Sequence, residues 1–381
     1  MKIAIFTDTF TPQVNGVTKT LNKLKEYMDL NGIEYKFFVP AEGDPSNTQR
    51  TISFYSIRFH LYPECKIALP RYGEVKSVLD NFKPDLIHIV TPFSVGLMGL
   101  KYGRENRIPI VSSYHTNFVE YFKYYKLQFL EGFYWKYFNW FHSFCHINFC
   151  PSLDTLTKLQ KKGITNLKIW DRGIEANLYT PENYSKEIRG KYVKKDEKLI
   201  LYVGRIAAEK ELDVLLKAAI ILNQKNSAYK LLIIGEGPQL DELKELSIPN
   251  VIFGGYKFGH ELQQIYASAD VFAFPSSTET YGNVILEAMA SGLSVIATYE
   301  GGVKENLLDG INGLTFKAGS SLDMANKIET LLNNHQLRIS LAQNAREHAI
   351  KKSWHRVFER LFADYQSIVN TAKGKTKNLS A

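Results

Sequence analysis

Short apolar runs alternate with segments of helical periodicity along the chain, and this alternation occurs twice. The intervening segments carry apolar residues at i, i+3 and i+4, as helices with one buried face do. Strand–helix alternation predicts parallel sheets with right-handed crossovers, so each half of the chain should form an α/β domain of its own. The strand-like runs are Lys2–Thr7, Tyr35–Val39, Asp85–Val90, Ile108–Ser112, His146–Cys150 and Leu167–Trp170 in the first half, and Leu199–Val203, Lys230–Ile234, Val251–Phe253, Val271–Ala273 and Ser294–Ala297 in the second.

The length of the chain agrees with two domains, because 381 residues exceed what one hydrophobic core usually supports. We expect an α/β fold with two Rossmann-like domains, residues 1–178 and 179–353, facing each other across a cleft. The polar stretch Tyr179–Lys198 is the predicted linker between them. A final helical segment, residues 354–371, is expected to complete the first domain, and residues 372–381 to form a flexible tail.

The charge of the protein is uneven, and it narrows the expected partners. The net charge is +8, and residues 1–178 hold 22 lysines and arginines against 16 aspartates and glutamates. A basic first half suits an anionic membrane surface, an acidic substrate or bound phosphate. Nucleic acid is not an expected partner, because the sequence has no sharp basic stripe.

Neither a signal peptide nor a membrane span is expected. The first residues, MKIAIFTD, are typical of a first strand, and no run reaches the roughly 18 apolar residues of a transmembrane helix. We therefore expect a cytoplasmic protein, which could also bind the inner face of the cell membrane as a peripheral protein.

Cysteine use indicates a reducing compartment. The three cysteines, Cys65, Cys145 and Cys150, form no even set that could make a disulfide framework. Two of them lie near His142 and His146 in the sequence, and four such side chains could bind zinc. They do not form two CxxC-like pairs, however, and they stand in a run of aromatic residues, so core packing is favoured over a metal site. No metal or cofactor is predicted.

Two cations follow the first strand of the second domain, where open α/β sheets bind ligands. Arg205 and Lys210 could stabilise the negative charge of a diphosphate, and Gly204 would let the backbone approach it closely. The alternative is a solvated turn between a strand and a helix. The motifs that follow favour the binding site.

Two carboxylates eight residues apart follow the strand Val271–Ala273. Glu279 is predicted in the loop before a helix and Glu287 inside that helix, where each could accept hydrogen bonds from the vicinal hydroxyls of a sugar or a ribose. The backbone amides of Asn283 and Val284, at the start of the helix, are predicted to meet phosphate oxygens. Alternatively, Glu279 only complements the helix dipole and Glu287 is a surface charge.

A glycine pair after the strand Ser294–Ala297 repeats this arrangement. Gly301, Gly302 and Glu305 are predicted to contact the same bound ligand. The turn at 235–238 also follows a strand, but alone it could be only a tight connection.

In the first domain, Gly16 opens a helix after the first strand and could face a diphosphate with bare backbone. The surrounding sequence is not GxGxxG, so a nicotinamide site is not expected. His115 follows the strand Ile108–Ser112, and Arg172 follows the last strand of the domain. The sequence leaves open whether His115 is structural or functional and whether Arg172 faces the cleft.

The segment from Phe118 to Phe149 is crowded with aromatic residues and contains Lys123, Lys126 and Lys136. Aromatic side chains and lysines suit a membrane interface, but the same pattern fits a buried helix with a few solvated lysines. Burial of most of the segment is favoured, and a membrane-facing edge is the alternative.

Several of these motifs resemble the retaining glycosyltransferases of family 4, which have the two-domain GT-B fold. The segments that carry the resemblance to the family are VGRIAAEK at 203–210, ETYGNVILE at 279–287 and GGVKE at 301–305. The segments TDTFTPQVNGV at 7–17, YHTNF at 114–118 and WDRGIEANLYTP at 170–181 resemble the glycolipid-forming branch of mannosyl, sulfoquinovosyl and glucosyl transferases.

The resemblance implies a role for each candidate residue. Arg205 and Lys210 would hold the donor diphosphate and carry much of the catalysis, Glu279 would hold the donor sugar, and Glu287 the ribose. A histidine at the position of His115 would lie beside the donor sugar.

The function that follows is a metal-independent, retaining hexosyltransferase. The donor would be a nucleoside diphosphate sugar, with a UDP-sugar favoured over GDP-mannose. The acceptor would be a lipid or saccharide hydroxyl, on a membrane glycolipid or a cell-envelope precursor. A sugar-nucleotide epimerase of the same architecture and a non-catalytic scaffold in polysaccharide assembly are the alternatives.

Overall fold

A computed structural model of the protein describes residues 1–379, apart from residues 14, 42–44, 46, 59–65, 116–127 and 226–227. The described residues form two compact units. The N-terminal unit contains residues 1–115, 128–171 and 354–379, and the C-terminal unit contains residues 172–353. Each unit is built on a parallel sheet, so the prediction of two Rossmann-like α/β domains is confirmed.

The sheet of the N-terminal unit has the strand order β3-β2-β1-β6-β7-β8-β9, and all its pairs are parallel. The described strands are β1 (Lys2–Phe6), β2 (Glu34–Pro40), β3 (Thr51–Phe54), β6 (Leu86–Ile89), β7 (Ile110–Ser113), β8 (Ile147–Cys150) and β9 (Leu167–Ile169), with a separate antiparallel pair of β4 (Ser56–Arg58) and β5 (Lys66–Ala68). The helices are α1 (Gly16–Leu30), α2 (Tyr72–Phe82), α3 (Ser94–Glu105), α4 (Glu131–His142), α5 (Leu153–Lys161) and α13 (Trp354–Leu379).

Both faces of this sheet are buried, as parallel sheets require. Along β1 the side chains alternate between the two layers of the core. Ile3 and Ile5 pack in the layer that contains residues of α1 and α13, whereas Ala4 and Phe6 pack in the layer that contains residues of α2 and α3. A strand that is buried on both faces therefore appears in the sequence as a continuous apolar run.

The last helix of the chain belongs to the N-terminal unit. Its residues Phe358 and Tyr365 are buried in the layer formed with α1, and the Tyr365 hydroxyl lies 2.7 Å from Nδ1 of His88 in β6. Helix α13 continues to Leu379, so the helical backbone extends through most of the segment expected to be a flexible tail. No proline interrupts residues 371–379, so the helical hydrogen bonding can continue.

The sheet of the C-terminal unit has the order β12-β11-β10-β13-β14-β15 and is also parallel throughout. The strand order reverses between β10 and β13, which makes this pair the switch point where ligands bind in such folds. The strands are β10 (Lys198–Val203), β11 (Tyr229–Ile234), β12 (Val251–Gly255), β13 (Val271–Phe274), β14 (Ser294–Thr298) and β15 (Leu314–Phe316). The helices are α6 (Lys186–Tyr192), α7 (Leu212–Gln224), α8 (Leu240–Glu245), α9 (Gly259–Ser268), α10 (Asn283–Ala290), α11 (Ser321–Asn333) and α12 (His335–Ile350).

The segment predicted as a linker packs into the C-terminal unit instead. It contains α6, and Tyr179 and Ile188 are buried in the core of this unit. Arg189 donates a hydrogen bond of 2.8 Å to Asp270, which stands just before β13. Its many lysines suggested an exposed connection, but a few buried apolar residues and one partly buried ion pair fix it in place.

Among the described residues, no helix combines the length and the apolar character needed to cross a lipid bilayer.

Candidate functional site

Two loops at the switch point of the C-terminal unit carry the predicted cations and the first predicted carboxylate. The cation loop, residues 204–211, follows β10, and the acidic loop, residues 275–282, follows β13. Because β10 and β13 are neighbouring parallel strands, both loops leave the sheet at its carboxyl edge. The two loops, which are far apart in the sequence, therefore lie close together in the fold.

Arg205 is held by a carboxylate of its own loop. Its guanidinium donates a hydrogen bond to Glu209, whose side chain is only 1% exposed. The Tyr202 hydroxyl donates to the Arg205 carbonyl oxygen over 2.9 Å. A guanidinium carries five N–H donors, so Arg205 can contact Glu209 and retain donors for another anion.

Lys210 and Glu279 form an ion pair between the two loops. The Lys210 ammonium donates to Oε1 of Glu279, and the side chains are 16% and 15% exposed. Burial acts to lower the pKa of Lys210, but the charge of Glu279, aided by Tyr202, outweighs it, and the pKa of Lys210 lies above its usual value. Lys210 is therefore a cation at neutral pH, already paired with a carboxylate.

Side-chain hydroxyls of the acidic loop bind the backbone of the cation loop. Ser276 Oγ and Thr278 Oγ1 both donate to the carbonyl oxygen of Glu209, over 3.1 and 2.9 Å. Thr298, at the end of β14, donates to the Ser276 carbonyl oxygen over 2.7 Å. These buried bonds fix the position of the acidic loop against its neighbours.

Helix α10 begins directly after the acidic loop. Gly282 precedes it with φ of 80°, and Asn283 and Val284 form its first turn, with their side chains partly exposed. The Asn283 side-chain oxygen is buried and has no hydrogen-bond partner among the described residues. The first amides of a helix lack partners within it, so this end of α10 can accept an anion.

Glu287 is not a surface charge, which the sequence had left as one alternative. It is 4% exposed and accepts a hydrogen bond of 3.0 Å from the hydroxyl of Tyr266 in α9. Burial, together with the charge of Glu287, raises the pKa of Tyr266, so the phenol remains a donor at neutral pH.

The glycine pair packs against the acidic loop. A Cβ on Gly301 would lie 2.3 Å from the carbonyl oxygen of Glu279, and one on Gly302 would lie 2.0 Å from that of Thr280. The Gly302 amide donates to the Glu279 carbonyl oxygen over 2.7 Å. This close backbone contact already explains both glycines, and a role for them in donor binding stays a prediction. Glu305 ends the same turn and is partly exposed.

The turn at 235–238 supports the cation loop from the side of β11. A Cβ on Gly235 would lie 1.9 Å from the Gly204 carbonyl oxygen, and one on Gly237 would lie 2.2 Å from that of Ile206. Both glycines have positive φ. Gly204 is constrained less tightly, because a Cβ there would lie 2.7 Å from a side-chain atom, the Tyr202 hydroxyl.

The remaining predicted residues lie outside these loops. In the N-terminal unit, Gly16 is the exposed first residue of α1, and His115 is buried after β7 with its ring 5.3 Å from that of Trp170. Arg172 begins the C-terminal unit. It is buried, and its carbonyl oxygen accepts a bond of 3.3 Å from the Tyr281 hydroxyl.

The side chains considered as zinc ligands have other partners. His142 is buried, and its Nδ1 lies 2.8 Å from both Ser112 Oγ and Asn148 Oδ1. Burial lowers the pKa of His142 to about 4. The buried thiols of Cys145 and Cys150 donate to the carbonyl oxygens of Phe141 and Lys168, over 3.9 and 3.6 Å. Cys65 lies outside the described residues.

The aromatic segment divides into a buried and an exposed face along α4. Tyr134, Phe138 and Phe141 are buried. Phe129, just before the helix, is 79% exposed, Phe133 75% and Trp140 46%. Residues 116–127, including Lys123 and Lys126, lie outside the described residues. Most of the first half of this segment therefore lies outside the described residues. Helix α4 has a buried face, which fits the prediction of a buried helix, and an exposed aromatic face, which fits the prediction of a membrane contact.

A cavity of about 450 Å³, which no sequence pattern had indicated, lies in the N-terminal unit. Its polar lining includes Asn22 and Lys25 on α1 and Thr48, Thr51 and Ser53 at β3. Phe10, Val39 and Pro40 form an apolar part of its wall.

The sequence reasoning also missed supporting side chains of the C-terminal site. Glu209, Ser276, Thr278 and Tyr266 all contact a predicted site residue or its backbone. For Glu209 a signal existed, because it stands four residues after Arg205. Tyr266 lies on another helix, and nothing in the sequence connects it with Glu287.

Comparison with known proteins agrees with this architecture. The family Glycosyl transferases group 1 matches residues 185–348, and Glycosyltransferase Family 4 matches residues 14–178. A structure of the Anabaena protein HepE in complex with UDP has a TM-score of 0.77 at 21% identity, covering 96% of this chain and 100% of that one. At that identity it shows the fold alone.

Three relatives extend over most of the chain. The GDP-mannose-dependent alpha-mannosyltransferase of Corynebacterium glutamicum is 29% identical, over 97% of this chain and 89% of its own length. The sulfoquinovosyl transferase of Arabidopsis thaliana is 31% identical, over 93% and 71%. The alpha-monoglucosyldiacylglycerol synthase of Streptococcus pneumoniae is 31% identical, over 78% and 71%. The chain belongs to the GT-B glycosyltransferases of group 1 and family 4, enzymes that transfer a sugar from a nucleotide-sugar donor, and it is related to glycolipid-forming mannosyl and glucosyl transferases.

Proposed function

We propose that the protein is a retaining, metal-independent hexosyltransferase that moves a hexose from a nucleoside diphosphate sugar to a hydroxyl of a membrane glycolipid or cell-envelope precursor. One observation carries the proposal. Two cations, Arg205 and Lys210, and the carboxylate Glu279 meet at the carboxyl edge of the switch-point strands. The cations can bind a diphosphate, and the carboxylate can accept hydrogen bonds from sugar hydroxyls.

In this proposal the C-terminal site holds the donor by its charged groups. Arg205 and Lys210 bind the diphosphate, with the free amides of Asn283 and Val284 as further donors. Glu279 accepts hydrogen bonds from sugar hydroxyls and Glu287 from the ribose. The same proposal includes donor contacts from seven further residues, which are Gly16, His115, Arg172, Gly204, Gly301, Gly302 and Glu305.

Retention follows from a front-face displacement. The bond between the anomeric carbon and the diphosphate oxygen breaks, the acceptor oxygen bonds to the anomeric carbon on the same face, and the acceptor proton moves to the departing phosphate. A double displacement would need a carboxylate positioned to attack the anomeric carbon. Glu279 does not suit that step, because it is paired with Lys210. The cations then stabilise the charge of the leaving group, so a divalent metal is not required for that purpose.

The nucleotide base of the donor is to be identified by a binding experiment. We favour a UDP-sugar, and GDP-mannose is the second candidate because the C. glutamicum relative is named for it. Calorimetric titration with UDP and with GDP, without added metal, tests the donor class. Binding of neither would refute the proposed function and favour a non-catalytic scaffold.

Transfer itself is tested with the donor sugars of the nucleotide that binds. Lys210→Ala should lower turnover by about 10²–10³, because removal of one preorganised charged group typically costs that much. Lys217→Ala is the matched control, since Lys217 is an exposed lysine of α7 paired with Asp213. Lys210→Ala with wild-type turnover would refute the assignment.

The product distinguishes the remaining alternatives. NMR of the anomeric proton should show an α-glycoside from an α-linked donor, and an inverted product would refute retention. A new sugar nucleotide formed from donor alone would instead identify an epimerase.

A lipid acceptor is supported by an exposed stripe on the N-terminal unit. Phe129, Phe133, Lys136 and Trp140 are spaced by three or four residues, so they lie along one side of the chain at α4, and all four are exposed. Aromatic rings beside a lysine suit the interface of an anionic membrane. The S. pneumoniae relative is named for a diacylglycerol product. The cavity of the same unit, with its hydroxyls and Lys25, is our candidate for the acceptor head group.

Sedimentation with vesicles of anionic and of zwitterionic phospholipid tests this surface. The double variant Phe133→Ser/Trp140→Ser should lose binding to anionic vesicles while it keeps nucleotide affinity. Leu246→Ser is the control, because Leu246 is 56% exposed but lies in the C-terminal unit. Equal sedimentation of wild type and double variant would exclude the stripe as a membrane contact.

A further inference from the structure

The last residue of the cation loop adopts a backbone conformation that its side chain disfavours. Glu211 has φ of 54° and ψ of 38°, in the left-handed region, immediately before α7. A Cβ is strained there, and glycine adopts this region freely. At Glu211 the side chain makes a contact that offsets this strain.

The contact lies on the acidic loop. One carboxylate oxygen of Glu211 accepts a hydrogen bond of 2.8 Å from Ser277 Oγ, and the other accepts one of 3.1 Å from the Ser277 amide. The carboxylate does not cap its own helix, although Glu211 occupies the N-cap position of α7. The side chain therefore connects two loops that are 66 residues apart in the sequence.

This connection completes a continuous set of ties between the two loops. Ser276 and Thr278, on either side of Ser277, both bind the Glu209 carbonyl oxygen. The next residue along the acidic loop is Glu279, which pairs with Lys210. Because the ties lie directly beside this pair, they determine where the Glu279 carboxylate stands relative to the Lys210 ammonium.

We propose that Glu211 is a positioning residue of the donor site, which through Ser277 holds the loop bearing Glu279 in register with the loop bearing Arg205 and Lys210. The inference rests on the proposed function. Loss of the tie lets the acidic loop shift, and displacements of about 1 Å at a reacting group can cost up to 10²-fold in rate.

The informative variant is Glu211→Gly, because glycine removes the tie and the backbone strain together. Its kcat/KM for the donor should fall by about tenfold or more, while its melting temperature stays close to that of wild type. Ser247→Gly is the matched control. Ser247 is an exposed residue of the same unit with φ of 46°, so it relieves similar strain away from the site. That control should leave the kinetics unchanged.

Two further variants separate positioning from a general structural role. Glu211→Gln keeps an oxygen that can accept from Ser277 and should recover most of the activity that Glu211→Gly loses. Ser277→Ala combined with Glu211→Gly should be no worse than Glu211→Gly alone, because the pair acts as a unit. A Glu211→Gly variant with wild-type kcat and KM, or losses that add in the double variant, would overturn the inference. A wild-type protein that binds neither UDP nor GDP would instead refute the proposed function on which it rests.

Discussion

The pair of Lys210 and Glu279 predicts an unusual gain of affinity on removal of a charge. In the structure Glu279 already accepts a hydrogen bond from the Lys210 ammonium, which is the group that the donor diphosphate is proposed to bind. A nucleoside diphosphate without a sugar must therefore compete with Glu279, and it offers that carboxylate no hydroxyl in return. Glu279→Gln should bind the free nucleoside diphosphate more tightly than the wild type does.

The size of the gain follows from the geometry. Both side chains are about 15% exposed, so solvent screens the pair only in part. Glu279→Gln keeps the charged donor, so the change removes only the attraction between the two opposite charges, about 1 kcal/mol for a pair that solvent partly reaches. That loss corresponds to a dissociation constant lowered roughly fivefold. Transfer from the intact donor should fall, because glutamine is a weaker acceptor for the sugar hydroxyls.

Calorimetry with UDP or GDP, whichever binds the wild type, measures the gain. Glu329→Gln is the control variant, since Glu329 in α11 forms an ion pair of 2.6 Å with Lys225, the residue that follows α7, away from the two loops. Unchanged or weaker binding by Glu279→Gln would show that Glu279 does not compete for Lys210, and the reasoning would fail.

Three further predictions concern the packing around the site and the core. His88 is fully buried with a pKa lowered to about 3, so it stays neutral in the fold while the unfolded chain binds a proton below pH 6.5. His88 therefore accounts for about 2 kcal/mol of the stability lost between pH 7 and pH 5, and the buried His142, whose pKa is lowered to about 4, accounts for a similar amount. Urea unfolding should show both losses in the wild type and a loss smaller by about 2 kcal/mol in His88→Gln. Gly302→Ala should lower the free energy of unfolding by about 1–3 kcal/mol and weaken nucleotide binding, whereas thermal melts of Gly190→Ala, where a Cβ meets nothing within 4 Å, should show no loss. Tyr266→Phe should weaken UDP or GDP binding but leave pyrophosphate binding unchanged, because its hydroxyl supports Glu287, the proposed ribose contact; equal losses for both ligands would contradict that role.

The central strands could be predicted from the sequence because burial on both faces makes each of them a continuous apolar run. β10 and β13 are examples, and their observed ends lie within a residue of the predicted ones. β15 spans only three residues, and β3 is a four-residue edge strand, so neither gives a usable periodic signal.

Part of the candidate site could also be predicted from the sequence, for a related reason. The rule that parallel strands end at one edge predicts that Lys210 and Glu279 approach each other. It does not predict that they pair, because pairing depends on side-chain directions. Nor does it predict the connection between Glu211 and Ser277, because a left-handed glutamate has no signature in composition or spacing.

The N-terminal unit is assembled from separated parts of the chain, and this has a consequence for biosynthesis. Its helix α13 is synthesised only after all of residues 172–353. The C-terminal unit, whose described residues are contiguous, can therefore mature first, although it is translated second. Until α13 arrives, the growing chain must carry the apolar layer of α1 uncovered, with His88 lacking its tyrosine partner. Synthesis of α13 thus closes a core that was begun before the C-terminal unit was translated.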